Sequence, residues 1–249
     1  MYILQADPVV VASSNVLAGE GTMILPIVLI ALIAVVGYAV QARLRSVMKM
    51  CSMLPSPQDL TGAEVAQKML HAHGIYNVQI TRVRGHLTDH FNPETLTINL
   101  SDSVYSERSV AAMAVACHEC GHAVQYVTGY NALRLRSRLV PVVNFSSRVA
   151  PWIIMLGLVF MATTNNAMLC WLGIMLISVA AFFAIVTLPV EYNASARALE
   201  WLESRELLVG KDLEGARLSL RWAARTYLVS ALSAIATVIY YVVLISRRK

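Results

Sequence analysis

"VAPWIIMLGLVFMATTNNAMLCWLGIMLISVAAFFAIVTLPV", residues 149–190, carries no charged side chain. At about 1.5 Å of rise per helical residue, this is roughly twice the length that one crossing of a ~30 Å hydrocarbon layer needs. A hairpin of two membrane spans fits it, with Thr163-Thr164-Asn165-Asn166 as the polar turn. The second arm, 167–188, is a full span. The first is short if it starts at Pro151, and it reaches a full length by extending back toward Leu139, with Arg148 snorkelling. A hairpin preserves sidedness: the segments before and after it emerge on the same face of the membrane. Any site shared between those two segments must pass this parity test.

Working outward, residues 22–40 (TMILPIVLIALIAVVGYAV) are uncharged and about 28 Å long as a helix, one span. Arg43, Arg45 and Lys49 follow, a basic flank expected on the cytoplasmic side with the N-terminus outside. Residues 226–245 are a last apolar segment ending in Arg247-Arg248-Lys249. A full fourth crossing would put that basic tail outside, against the positive-inside rule, so either the segment crosses incompletely or the earlier charges outweigh it. Residues 1–21 contain no Lys or Arg and so lack the basic start of a secretory signal.

Composition agrees. Of the 249 residues, 57% are hydrophobic and 14% charged, and the mean hydropathy is +0.59. A soluble domain is about 25% charged. The net charge is +5, but no basic stripe interleaves with aromatics, which argues against a nucleic-acid partner. The partners expected are the lipid bilayer and a peptide or membrane-protein substrate. Cys51, Cys117, Cys120 and Cys170 form no disulfide framework.

The segments 41–148 and 191–225 are more polar. Thr61 with Glu64 reads as a capping box, and Gly74 ends the helix it starts. Residues 79–83 and 96–100 alternate like short strands, the second after the turn Asn92-Pro93-Glu94, with 95–100 a candidate edge for pairing with an extended substrate. Ser106 is expected to cap a long helix, 107–127, closed by Gly129.

Inside that helix an uncharged run, 110–117, leads into His118-Glu119-Cys120-Gly121-His122. Residues four apart share a helix face, so His118 and His122 can bind one metal ion while Glu119 points beside it as a general base. Two surface histidines fit such an apolar helix badly, because buried polar groups would be left unpaired. Gly121 lets another element approach closely. A catalytic zinc ion (Zn2+) needs a third protein ligand and an open position. Glu191, where the hairpin's second arm returns to the polar phase, passes the parity test; the alternative is that it caps a helix starting after Pro189.

These motifs, with "GHLTDH" at 85–90, "LRSRLVPV" at 135–142, "TLPVEYNAS" at 187–195 and "TGAEVAQKML" at 61–70, resemble the YugP-like membrane zinc metallopeptidases. The similarity covers nearly the whole chain from the first span onward. It implies peptidase activity, one zinc ion and a bacterial inner (plasma) membrane setting. It carries over His118, His122 and Glu191 as ligands and Glu119 as base. Related glutamate-ligand enzymes place an acid four residues after the ligand glutamate to orient a histidine; here Ser195 stands there, so Asp89, Asn193 or a backbone carbonyl must serve. His86 and His90 read as structural or oxyanion-assisting. Arg134, Arg136 and Arg138 read as headgroup contacts, or as a grip on a substrate carboxylate.

Three rivals remain. Cys117 and Cys120 form a C-x-x-C, but without the βαβ context of a redox pair. An intramembrane site-2-type protease also uses H-E-x-x-H, but needs an aspartate in a downstream span, and 149–190 has none. A non-catalytic zinc scaffold would fill all four positions with Cys or His. The expected architecture is a mostly α membrane protein: N-terminal segment 1–21, span 22–40, a small α+β cytoplasmic zincin-like domain over 41–148, hairpin 149–190, a cytoplasmic helical segment 191–225 with the third ligand, and 226–249 as the last span and basic tail.

Overall fold

The computed structural model describes residues 8–85 and 88–246. The expectations for residues 1–7, for His86 and for the terminal Arg247-Arg248-Lys249 lie outside them. The elements in order are α1 (Pro8–Ser52), α2 (Gly62–Ala72), β1 (Gln79–Val83), β2 (His90–Asn92), β3 (Thr97–Ser101), α3 (Asp102–Tyr105), α4 (Val110–Val127), α5 (Asn131–Thr164), α6 (Met168–Ser204) and α7 (Gly210–Ser246). The chain is mostly helical. Among the described residues, four helices are long and apolar enough to cross a membrane: Ile24–Ser52, Asn131–Thr164, Met168–Ser204 and Gly210–Ser246.

The chain divides into two compact units, one of residues 1–36, 142–182 and 230–249, the other of 37–141 and 183–229. In the first, α5 and α6 turn back on each other through Asn165, at φ 55°, and Asn166, whose Oδ1 accepts from Met168 N–H at 2.8 Å. The hairpin is tight because it is closed by glycines. A Cβ on Gly157 would lie 2.8 Å from Cys170 N, and one on Gly173 would lie 2.4 Å from Ile154 Cγ1. Small residues that let backbones meet are how helices associate in lipid. Trp152, Leu156, Phe160 and Met175 stay exposed, the surface a lipid-facing helix needs.

In the second unit α2, α3 and α4 pack with a three-stranded sheet of order β1-β3-β2. β1 runs parallel to β3, and β2 runs antiparallel to it. The capping box forms as its spacing predicts: Glu64 N–H donates to Thr61 Oγ1 at 3.2 Å, and Thr61 N–H to Glu64 Oε2 at 2.8 Å. Gly74 and Gly129 end their helices at φ 69° and 68°.

Several expectations shift. The helix holding His118 starts later than Ser106. Ser109 caps it, accepting from Ala112 N–H at 3.2 Å, while Ser106 ends the separate turn α3. Both serines are competent caps, and Ser109 wins because Val110 N–H also bonds Leu54 O at 3.0 Å. The strand expected at 96–100 forms one residue on, since Leu96 sits at φ 52°. It occupies the centre of the sheet, so the proposed free edge there does not exist; the outer strands are β1 and the unforeseen β2. Pro189 starts no helix. It lies inside α6, so Glu191 is mid-helix and the capping alternative fails.

Candidate metal centre

α4 is buried over most of its length, with Val110, Ala114, Cys117 and Cys120 in the core. That anchoring turns His118, Glu119 and His122 to one face. Opposite them the backbone of α6 comes close at Gly121, where a Cβ would stand 2.5 Å from Ala194 O and 3.0 Å from Ala194 Cα. This backbone-to-backbone approach sets the neighbours of Ala194, namely Glu191 and Ser195, over the two imidazoles.

The result is a convergence. One ligand atom each from His118, His122 and Glu191 lies within 4.8 Å of the others. Glu191 Oε2 is 3.3 Å from His118 Nε2 and 3.7 Å from His122 Nε2, and the rings stand edge to face. Glu191 is 1% exposed. Its two oxygens fare differently. Oε1 accepts from Arg136 Nη1 at 3.0 Å, whereas Oε2 is buried with no hydrogen-bond partner. An orphaned buried carboxylate oxygen facing two imidazoles is costly unless a cation satisfies it. Two nitrogen donors and one oxygen donor suit zinc. Burial disfavours a charged His122 ring, but the Glu191 and Glu119 carboxylates outweigh it and leave its proton affinity raised, so the site favours positive charge.

The free ring nitrogens are held. Gln125 is fully buried, and its Nε2 donates to Val190 O at 2.8 Å and to Asn193 Oδ1 at 3.0 Å. Because a carbonyl only accepts, this orients the amide. Oε1 then faces His122 Nδ1 at 3.0 Å and must accept its N–H, leaving Nε2 as the ring nitrogen that faces Glu191. Ser195 Oγ lies 3.1 Å from His118 Nδ1 and can hold that ring the same way. Ser195 thus stands in the place where related enzymes carry an acid. Asn193 Oδ1 accepts from Gln125 and from Arg197 Nε at 2.8 Å, and Asp89 serves elsewhere, accepting from Ser101 N–H at 2.7 Å and Ser101 Oγ–H at 3.1 Å.

Glu119 is buried beside the triad, and its Oε2 accepts from Phe91 N–H of β2 at 3.0 Å. Cavities of about 270 and 220 Å³ meet here, and both are lined by His118, Glu119, Glu191 and Tyr227. His90 lines the second of these cavities; its Nδ1 lies 2.8 Å from Thr88 O and its Nε2 lies 3.2 Å from Asn99 Nδ2. Arg136 turns to Glu191, which replaces the headgroup reading for that residue. Cys117 and Cys120 are buried thiols, both shifted up by burial, and unlike a reactive redox pair. α4 is not one of the four candidate spans, unlike the helix a site-2-type site would need.

Sequence reasoning missed three residues at the site. Gln125 follows His122 by three, a helical spacing that could have flagged it. Arg136 stood in the arginine cluster but was read as a headgroup or substrate contact, not as the partner of Glu191, and Tyr227 had no local signal.

The sequence profile of the family described as "Putative neutral zinc metallopeptidase" matches residues 26–246. The chain is also 40% identical over 204 residues, 82% of its length and 89% of the relative's, to the "Putative membrane protease YugP" of Bacillus subtilis (strain 168). No solved structure matches it. The chain belongs to this zinc metallopeptidase family, and zinc is its cofactor.

Proposed function

We propose that this member of the family is a membrane-embedded peptidase that hydrolyses peptide bonds at a zinc ion held by His118, His122 and Glu191, with Glu119 as the general base. The observation that carries the reading is the orphaned Glu191 Oε2 facing two imidazole Nε2 atoms, with a second carboxylate alongside. Zinc in such a set acts as a Lewis acid and lowers the pKa of bound water to about 7.

The chain's own residues do the rest. Gln125 and Ser195 keep the two Nε2 lone pairs aimed inward. Arg136 occupies Glu191 Oε1, so Oε2 is the oxygen left to bind. Glu119, steadied by Phe91 N–H, takes the proton of the attacking water and later delivers it to the leaving amine. Tyr227 lines both cavities, and its hydroxyl is a donor suited to the developing oxyanion.

The zinc domain of 41–148 and 191–225 belongs on the cytoplasmic side of the plasma membrane, with 22–40, 149–190 and 226–249 as its membrane parts. The basic flank at Arg43, Arg45 and Lys49 and the even parity of the hairpin support this orientation.

The test is metal analysis with a quenched-peptide assay on three proteins. Wild type should hold one zinc and cleave. Glu119→Gln should keep zinc and lose about 10²–10⁴ in rate. Glu191→Ala should lose both. Zinc without cleavage in wild type would favour the scaffold instead.

A further inference from the structure

The reaction centre opens into more space than the chemistry uses. Within the second unit a third cavity, about 580 Å³, adjoins the first and shares Leu44, Met48, Asp89 and Val115 with it. Asp89 lines all three cavities. The space is therefore one trench passing the zinc donors, with room on both sides of Glu119. The third cavity alone is within the ~300–1,000 Å³ range of ligand sites.

Its floor follows one face of α4. Ala111, Ala112, Val115 and Glu119 recur at helical spacing, so the trench runs along the helix axis. Val115 lies about 6 Å and Ala111 about 12 Å along the axis from Glu119, at roughly 1.5 Å per residue. An extended peptide advances about 3.3 Å per residue. The cavity thus sits roughly two to four residues from the bond being cut. Its walls are apolar at Leu44, Met48 and Val104. Its rim carries Arg45 and Lys49 but also Glu107 and Asp89. Charges of both signs suit a polypeptide, whose backbone and side chains offer partners to each. A lipid phosphate would meet two carboxylates there.

Building on the peptidase reading, we propose that this cavity is a substrate subsite: the enzyme cleaves bonds inside a polypeptide and selects a bulky apolar side chain two to four residues to one side of the cleaved bond. A trench continuing past the centre on both sides accepts a chain interior; an enzyme that trims termini closes one side.

The experiment uses the zinc-loaded full chain in nanodiscs, a peptide library, and mass spectrometry of the products, with zinc content measured for every variant. Wild type is expected to cut internal bonds and to favour Leu or Phe at the subsite position. Val115→Trp fills the cavity. It should lower kcat/KM for those peptides at least about tenfold more than for peptides with Gly or Ala there. Met48→Ala enlarges the cavity and should shift preference toward Trp. Release of terminal residues only would overturn the inference. So would an unchanged profile in both zinc-replete variants, or an equal loss for all peptides in both. Phospholipid that co-purifies and is displaced by Val115→Trp, with the cleavage profile unchanged, would assign the cavity to lipid and also overturn it. If the zinc-loaded wild type cuts no peptide at all, the peptidase reading itself fails.

Discussion

Replacing Gly121 by alanine should damage the site, although alanine is the better helix former by about 1 kcal/mol. The added Cβ would stand 2.5 Å from Ala194 O and 3.1 Å from Ala194 C, where ordinary contact begins near 3.4 Å. These are backbone atoms in the middle of α6, so no side chain can swing aside. α6 must retreat by roughly 1 Å at this point, carrying Glu191 and Ser195 with it. Metal–ligand distances tolerate only about ±0.2 Å. Overpacking of this kind costs about 1–3 kcal/mol, which exceeds the helix-propensity gain. Zinc affinity by chelator competition should fall at least about tenfold, and a 1 Å misplacement should cost about 10²-fold in rate. Thermal unfolding with and without EDTA would show a smaller zinc-dependent gain than in wild type. Wild-type zinc affinity and kcat/KM in Gly121→Ala would refute the argument that this glycine sets the docking of α6.

Two further outcomes follow from the groups behind the ligands. Gln125→Leu removes the acceptor of His122 Nδ1–H and frees the ring; zinc affinity should drop about 10–100-fold with secondary structure unchanged by circular dichroism. Arg136→Gln strips Glu191 Oε1 of its 3.0 Å charge partner, at about 2 kcal/mol by chemical denaturation of the zinc-free protein. Arg136→Lys should restore only part of it, because an ammonium lacks the fixed fork of a guanidinium.

Much of this was legible in the chain, for identifiable reasons. His118 and His122 could be paired because helical period alone puts them on one face. Glu191 could be nominated because 149–190 holds no charge and a hairpin preserves sidedness. The glycine between the histidines announced a close approach, and Ala194 is what approaches. What could not be read depends on pairing across distance. Arg136 reaches Glu191 from 55 residues away in sequence. β2 is three residues long and has no alternation to detect. The centre of the sheet went to β3 because β1 and β2 both pair with it, a choice that local pattern does not encode. Ser106 and Ser109 offered the same capping chemistry, and a bond from Val110 to Leu54 decided between them.

The most direct measurement is zinc-edge X-ray absorption on the purified, zinc-loaded chain. It should show two imidazoles and one or two further oxygen donors at about 2.0–2.2 Å, and no sulfur. Scattering at about 2.3 Å, the zinc–thiolate distance, or a single imidazole per zinc, would contradict the assignment of His118, His122 and Glu191 as the ligands.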